Sequence, residues 1–529
     1  MSAILKQEQN ERRKALSQQT AGDRSVIVNK PWDTHAQAGQ VESLIVAKLP
    51  VERCVAFGGV VSSIVETTLP YAHLANSTHE APAVTRIQTL EHAGVRALVE
   101  AVAIFESNNQ FIAVPPAVIE QIIEKDQHCV QTVTGLLYHP IVLANGEILA
   151  ANGLHQKTGL YFKGIEVKNI KPLTQKAAKT ALKRLKDKFL SGFEFQSSID
   201  ADVAVTALFT GLQRKILPMA PGFAFLAPVQ ASGKTTLARM IHLVLTGQEM
   251  SVMSFPERNE EEMQKRMLAV LLTSPAMLCL DNMTDGTTFE STTIAAVMTS
   301  PVWQQRILSL NKNADCPTNV LMIATGNNLG LGADEVSRWL PAYLNPKTSN
   351  PAARTFKNPN VAKYALSIRA EVIEIVVGII SGYLKFGFQI PSRSRFTEWD
   401  KLVRQPLIWA GASDVAQVFD TNKVNSASNG GALATVVALS KLFGKDAFGA
   451  SQVAGMIATL APTEASVAAD LKEALQISKS KNPTSPTSVG RALKGIENRR
   501  IEHGQSVLTL KSRLLDGLSK YYIEVSKLK

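Results

Sequence analysis

Hydrophobic positions along this chain change their spacing several times, and each change predicts a different kind of element. Residues 1 to about 40 are polar and charged with few large apolar side chains, which predicts a flexible basic arm. From Val41 to about Gly164, short β-rich runs such as CVAFGGVVSSIVET alternate with the helical spacing of GVRALVEAVAIF and PAVIEQIIEK. LYHPIVLANGEILAANGLHQKTGLYFKG reads as strands separated by Asn-Gly turns, so 41–164 is expected to be a mixed α/β domain. The lysine-rich KPLTQKAAKTALKRLKDKF then predicts a basic linking helix within 165–194. Between 195 and 390, buried strands and helices alternate as a parallel sheet requires. FAFLAP, AMLCLDN and NVLMIATGNN are the strands, and TTLARMIHLVLTG and RAEVIEIVVGIISGYLKFG the helices. A helical extension over 391–445 includes NKVNSASNGG, Asn422 to Gly431, which reads as a linker or long loop. The segment 446–529 offers helices at about 449–460, 465–477 and 487–501, then QSVLTLKS and KYYIEVSK as short strands. Three helices and a small hairpin predict a winged-helix-like domain, whose third helix would present Arg491, Lys494, Arg499 and Arg500.

The candidate chemistry sits where the apolar strands stop. Ala227 to Thr236, APVQASGKTT, follows FAFLAP and ends in Gly233-Lys234-Thr235, as the phosphate-binding pattern G-x-x-x-x-G-K-[ST] does. Pro228 stands where the pattern has its first glycine; it has no N–H, which suits a chain leaving a strand. Ala231 adds a Cβ where the backbone must approach a ligand. A lone G-K-T recurs by chance, but here a strand precedes it and a helix follows, so backbone N–H groups and the helix N-terminus would converge on phosphates. Pro228, Val229, Gln230, Ala231, Ser232, Gly233, Lys234, Thr235 and Thr236 are therefore the expected nucleotide cradle. Lys234 would contact the β- and γ-phosphates and Thr235 would ligate Mg²⁺, while Thr236 continues the helix. Asp281, ending AMLCLDN about 46 residues after the loop, is placed to hold the same metal ion; the bland alternative is a buried strand with an acidic turn. Asn327 and Asn328 end the third strand, where an amide would orient water or touch the γ-phosphate, or would simply form a turn.

With these residues in place, the chain resembles the AAA+ ATPases of the helicase type carried by phages, plasmids and integrative elements, related to superfamily 3 and minichromosome-maintenance helicases. The likeness is strongest from Pro221 to Phe386, in APVQASGKTTLA, EEMQKRMLAVLL before LCLDN, SPVWQQRILSLN, VLMIATGNNLGLGAD and SRWLPAYLNPKTSNP. HPIVLANGEILAANGLHQKTGLYF is similar to the piece that often precedes the ATPase module. The resemblance implies an AAA+ P-loop ATPase core with ATP and Mg²⁺ as cofactors, a homo-oligomeric ring, with a hexamer expected, and single-stranded or forked DNA as partner. Lys234 and Thr235 would be Walker A, Asp281 Walker B, and Asn327 sensor 1. Arg338 falls where such proteins place an arginine finger that reaches a neighbouring subunit's site, its alternative being a surface helix arginine. Arg306 and Arg369 are secondary candidates for a trans-acting and a sensor-2 arginine. The residue after Asp281 is Asn282 instead of the usual glutamate, and an amide orients water but cannot take its proton. Asp285 and Glu262 are possible substitutes. Relatives often carry a primase domain; the first 195 residues show no zinc cluster or acidic metal motif, so priming would come from a separate protein.

Composition narrows the classes. At 529 residues the chain exceeds one ordinary core, and a net charge of +11 makes polyanions such as nucleic acid natural partners. Lys171, Lys176, Lys179, Lys183, Arg184, Lys186 and Lys188 form either a solvated helix face or a polyphosphate-facing surface. Cys54, Cys129, Cys279 and Cys316 make no C-x-x-C pair, which argues against a zinc site or disulfide framework and fits a reducing cytoplasm. No apolar run reaches the roughly 18 residues of a membrane span, so a soluble cytoplasmic protein with no membrane partner is expected. A DNA-dependent ATPase motor is the leading expectation. A nucleotide-gated assembly or initiator protein and a winged-helix regulator are the alternatives.

Overall fold

In the computed structural model, residues 23–68, 83–125, 127–167, 170–256, 259–283, 288–307, 312–327, 330–332, 335–347, 360–425, 427–444, 446–459, 471, 472, 475, 484–498, 500–503, 506–515 and 518–527 are described. The N-terminal unit begins earlier than the sequence pattern suggests. Strand β1 (Ser25–Val28) pairs in parallel with β5 (Ala103–Ser107), which pairs with β6 (Gln110–Ile112). Helix α1 (Thr34–Lys48) starts at Asp33, whose carboxylate accepts the Ala36 N–H at 3.3 Å. Its apolar face, Ala38, Val41 and Ile45, is buried against α2 (His92–Val102) and α3 (Pro116–Glu124). Residues 25–40 are thus strand and helix instead of a flexible arm, because three small apolar side chains at helical spacing suffice to dock α1; residues 1–22 lie outside the described residues. β2 (Val55–Phe57), β3 (Val60–Thr68) and β4 (Ala83–Thr89) form a second, antiparallel sheet, and β7 (Gly135–Leu137), β8 (Gly153–His155) and β9 (Leu160–Phe162) a third.

The expected linking helix, α4 (Gln175–Phe189), is docked along its length. It buries Ala178, Leu182, Leu185 and Phe189, and its cations reach carboxylates of neighbouring helices: Lys186 to Asp202, Arg184 to Glu371 at 3.0 Å, and Lys188 to Glu371 at 2.7 Å. It packs on α9 (Val361–Phe386), where Gly382 lets the backbone of Leu173 pass: a Cβ there would lie 2.2 Å from the Leu173 carbonyl oxygen.

A five-stranded parallel sheet forms the centre, in the order β11 (Val252–Ser254), β12 (Met277–Met283), β15 (Leu321–Asn327), β10 (Gly222–Ala227), β16 (Trp339–Tyr343). Its strands are apolar on both faces because both are covered. Phe223, Phe225, Cys279, Ile323, Leu340 and Ala342 face α5 (Ser198–Gln213), α6 (Lys234–Thr246) and α9. Ala224, Leu226, Leu278, Leu280, Met322 and Ala324 face α7 (Glu260–Leu271), α8 (Thr292–Thr299) and a hairpin of β13 (Val302–Arg306) and β14 (Asn313–Pro317). At the amino-terminal end of the sheet two buried cations tie together the segments that lead into its strands. The Arg214 guanidinium donates to the carbonyls of Val320 at 3.1 Å and Thr318 at 2.7 Å. The Lys215 ammonium donates to Pro275 O at 2.9 Å and Asn319 Oδ1 at 3.3 Å, and burial, with Arg214 adjacent, pushes its pKa down to about 7. The hairpin touches the N-terminal unit directly: Asp315 N–H donates to Gly58 O at 2.9 Å and Lys312 Nζ to Lys125 O at 2.5 Å.

Three expectations for the C-terminal third are corrected. Asn422–Asn425 and Ala427–Gly431 are helical, in α10 (Gln417–Asn425) and the start of α11 (Ala427–Phe443), instead of a linker. Asn422 is polar because its buried amide donates to the carbonyls of Trp339 at 2.9 Å and Val336 at 3.4 Å, and α11 is held through buried Val436 and Leu439 further along. Helix α13 (Pro486–Ile496) follows α12 (Ala450–Thr459) and stops five residues before the expected 501, since Asn498 takes φ 62°, a left-handed conformation that ends helices. Arg500 consequently begins a strand, and Arg499 and most of the expected 465–477 helix lie outside the described residues. The small hairpin is a three-stranded antiparallel sheet of β17 (Arg500–His503), β18 (Ser506–Leu515) and β19 (Leu518–Lys527).

Glu42 offers a test of the N-terminal packing. Its buried carboxylate meets Lys125 Nζ at 2.7 Å, His128 Nδ1 at 3.1 Å and the Cys129 N–H at 3.4 Å. Burial alone would raise its pKa, but the bonds from His128, Lys125 and Cys129 outweigh it and hold it at about 2. A depressed carboxylate stabilises the fold above its ordinary pKa and loses that contribution as pH falls from about 4.5 towards 2. Glu42→Gln is expected to cost about 3 kcal/mol at neutral pH and to flatten the loss of stability over that acid window, measured by urea titration at a series of pH values.

Candidate functional site

Side-chain parity brings the site together. Along each strand alternate residues share a face, so Met277, Cys279 and Asp281 point the same way, as do Ile323, Thr325 and Asn327. That is the α6 face, and β15 lies between β10 and β12, with Asn327 in register with Ala227. The pairing of β12 with β15 shifts between Leu280 and Met283, at Asp281. Residues Pro228 to Ala231 leave β10 on the surface, and α6 begins at Lys234, over the carboxyl ends of these strands. This is where open parallel sheets take ligands.

The side chains expected for the site meet there. Lys234 Nζ donates to Asn327 Oδ1 at 2.7 Å, to Ser232 Oγ at 3.0 Å and to Val229 O at 3.2 Å. Thr235 Oγ1 donates to Asp281 Oδ1 at 2.8 Å. Ser232, buried, returns its hydroxyl to Val229 O at 3.0 Å and so folds the loop on itself. Burial lowers the Lys234 pKa, and the Asp281 carboxylate opposes that fall. Gly233 supplies φ 96° at the last loop position, with the Phe193 ring 3.4 Å from where a Cβ would sit. Ala231 adopts φ 57°, a conformation an L-residue enters at a cost. Its side chain is exposed, so the Cβ that the sequence pattern flags turns outward at the expense of backbone strain.

No family model matches the chain. No curated protein matches it either. Among solved structures it is similar to "The A form apo structure of NrS-1 C terminal region-CTR(305-718)", at 12% identity and a TM-score of 0.31, over 75% of this chain and 89% of that one.

Other candidates lie apart. Arg338 ends at the opposite edge of the sheet: its carbonyl accepts the N–H of Gly222, the first residue of β10, about 17 Å of strand from the loop. Arg369 is buried and donates to the carbonyls of Val244 at 2.9 Å, Leu245 at 3.2 Å and Tyr138 at 2.8 Å. It therefore neutralises the C-terminus of α6, about 15 Å from the phosphate loop at the other end, and the sensor-2 expectation is corrected. Arg306 ends β13 on the hairpin, and Glu262 is bonded to Arg266 at 2.6 Å on α7. Asp285, Asn328 and the side chain of Asn282 fall outside the described residues. Sequence reading missed Thr325, whose hydroxyl donates to Asp281 Oδ1; its signal is position, two residues before Asn327 on the same strand face. Asp281 with Thr235 offers one carboxylate and one hydroxyl oxygen, a donor set that suits Mg²⁺ completed by phosphate and water. Among the described residues no group of three or more His, Cys, Asp or Glu could hold a metal alone. Among the same residues no helix is long and apolar enough to cross a membrane.

The strain at Ala231 can be measured. Ala231→Gly is expected to raise stability by about 0.5 kcal/mol, and Ala231→Val to lower it by about 1 kcal/mol or more, since a β-branched residue resists positive φ. Equal urea midpoints for all three proteins would show that the loop relaxes out of this conformation.

Proposed function

We propose that this chain is a DNA-dependent ATPase that works as an oligomeric ring, a helicase or translocase of a mobile genetic element. The observation that carries the reading is the set of bonds across three neighbouring strand ends, Lys234 to Asn327 and Thr235 to Asp281. A lysine at the N-terminus of a helix, an amide beside it and a hydroxyl–carboxylate pair are what a nucleoside triphosphate with Mg²⁺ requires of a protein. In this reading Lys234 exchanges its contacts with Ser232 and Val229 for phosphate oxygens, while Thr235 and Asp281 hold the ion and Thr325 keeps the carboxylate oriented. Bound Mg²⁺ would neutralise charge between the β- and γ-phosphates. Asn327 orients the attacking water. Arg338, at the far edge from its own loop, is where a residue acting on a neighbouring subunit would be; this and the resemblance support a ring, with a hexamer as the expected size and a separate primase as partner.

ATPase activity with and without single-stranded DNA tests the reading. DNA is expected to stimulate the wild-type protein, and Lys234→Ala and Arg338→Ala should each lose at least about 100-fold. Mixing the two variants should restore part of the activity, because mixed interfaces combine an intact loop with an intact arginine. A wild-type protein that binds nucleotide yet is indifferent to DNA would falsify the motor reading.

A second reading, a nucleotide-gated assembly factor with little unwinding, is favoured by Asn282, which supplies no base beside Asp281. Strand displacement on a forked duplex separates the two.

A further inference from the structure

Five tryptophans occur in the chain, at 32, 303, 339, 399 and 409. Trp339, Trp399 and Trp409 are at most 2% exposed and Trp303 is 8% exposed, whereas Trp32 is 83% exposed. A large apolar ring held in water is a costly surface, and here the turn that carries it is fixed by hydrogen bonds. Pro31 precedes it, and a turn closed by Asp33 N–H to Lys30 O at 2.9 Å carries it. Buried Gln37 grips that turn from beneath: its amide donates to Lys30 O at 2.7 Å and Asp33 O at 3.1 Å and accepts the Lys30 N–H at 3.3 Å. Trp32 therefore follows the end of β1, the outer strand of its sheet, on which Val26 and Val28 are also exposed.

The lysines at the two ends of this edge point to the occupant, with Asp33, Asp23 and Glu106, in register with Val28, as the acidic groups near it. Asp33 spends its carboxylate on the N-terminus of α1. The Lys30 ammonium is exposed, and Lys48, at the other end of β1, is held by the Ser25 hydroxyl at 3.0 Å and the Asp23 carbonyl, neither of which cancels its charge. A flat aromatic face with lysines at both ends of an exposed strand is the arrangement that stacks a base and follows a phosphate backbone. We infer that Trp32, with Lys30 and Lys48, is a single-stranded nucleic-acid contact on the N-terminal unit, separate from the phosphate loop. It rests on the motor reading only for the choice of DNA as the strand.

The isolation of Trp32 makes the test direct. Intrinsic fluorescence of the full-length protein, with acrylamide as quencher, is followed during titration with oligothymidylate at low salt. The strand is expected to quench the exposed component and shield it from acrylamide. Trp32→Ala should remove that component and weaken binding roughly tenfold, Trp32→Phe should bind nearly as wild type, and Lys30→Ala should lower the salt slope by about one. Because the ring is exposed, Trp32→Ala should keep the wild-type melting temperature and its ATPase activity without DNA. Unchanged oligothymidylate affinity in Trp32→Ala overturns the inference. So does acrylamide shielding of Trp32 that grows with protein concentration in the absence of DNA, which would mean that a second copy covers the ring. Lys234→Ala should lose ATPase yet retain the quenching, and a wild-type protein whose ATPase ignores DNA while Trp32 is still quenched sinks the motor and spares this contact.

Discussion

The placement of β15 between β10 and β12 is the constraint on which the site depends. Parallel pairing fixes which residues of three strands end side by side, and strand parity fixes which of their side chains face α6. A one-residue slip of β15 would turn Thr325 and Asn327 to the α7 face and bring Ala324 and Gly326 under the loop. The dense apolar packing on both faces makes such a slip prohibitive, since Ile323 and Met322 would have to exchange layers. Three strand-end side chains, Asp281, Thr325 and Asn327, are therefore held to one geometry by strands whose other residues are almost all apolar.

The cations of this framework divide by what they bond. Arg214, Lys215 and Arg369 are buried and spend their donors chiefly on main-chain carbonyls, which cannot move without unfolding the segments that carry them. They act as rivets between helices, sheet and N-terminal unit, and for Arg214 and Arg369 burial lowers the pKa to about 9 and about 10. Lys234 differs. Its partners are one amide, one hydroxyl and one carbonyl of a loop whose outer residues are exposed, so its donors are exchangeable at small cost. A fixed cation and a transferable one are separated by the length of α6, which Lys234 opens and Arg369 closes.

Much of this was legible in the sequence, and the misses share a cause. FAFLAP, AMLCLDN and NVLMIATGNN were readable as strands because burial on both faces leaves unbroken apolar runs. The loop and its two polar strand ends were readable because a glycine, a lysine and a carboxylate at chain reversals have few other uses. What escaped were residues whose role depends on a partner distant in the chain. Arg369 reads as a sensor-2 candidate until Val244 and Tyr138 are brought to it, and Thr325 as a strand residue until Asp281 lies on the next strand. Asn422 looks like a loop residue because its two carbonyl acceptors come from the segment Val336–Trp339. Residues 25–40 look unstructured because the apolar surface that orders them is supplied by α2 and α3.

The hairpin of β13 and β14 bears on how the molecule can be divided. It is an insertion between the strand that carries Asp281 and the strand that ends in Asn327, yet it hydrogen-bonds to Gly58 and Lys125, and Val60 belongs to its apolar cluster. A fragment begun near residue 170 would keep every residue of the phosphate loop while removing Val60 from the apolar cluster that contains Trp303, Ala314 and Cys316, and the Tyr138 carbonyl from Arg369. The central sheet is thus joined to the N-terminal unit through this hairpin by main-chain hydrogen bonds and apolar contact, and a cut between the two would expose that seam.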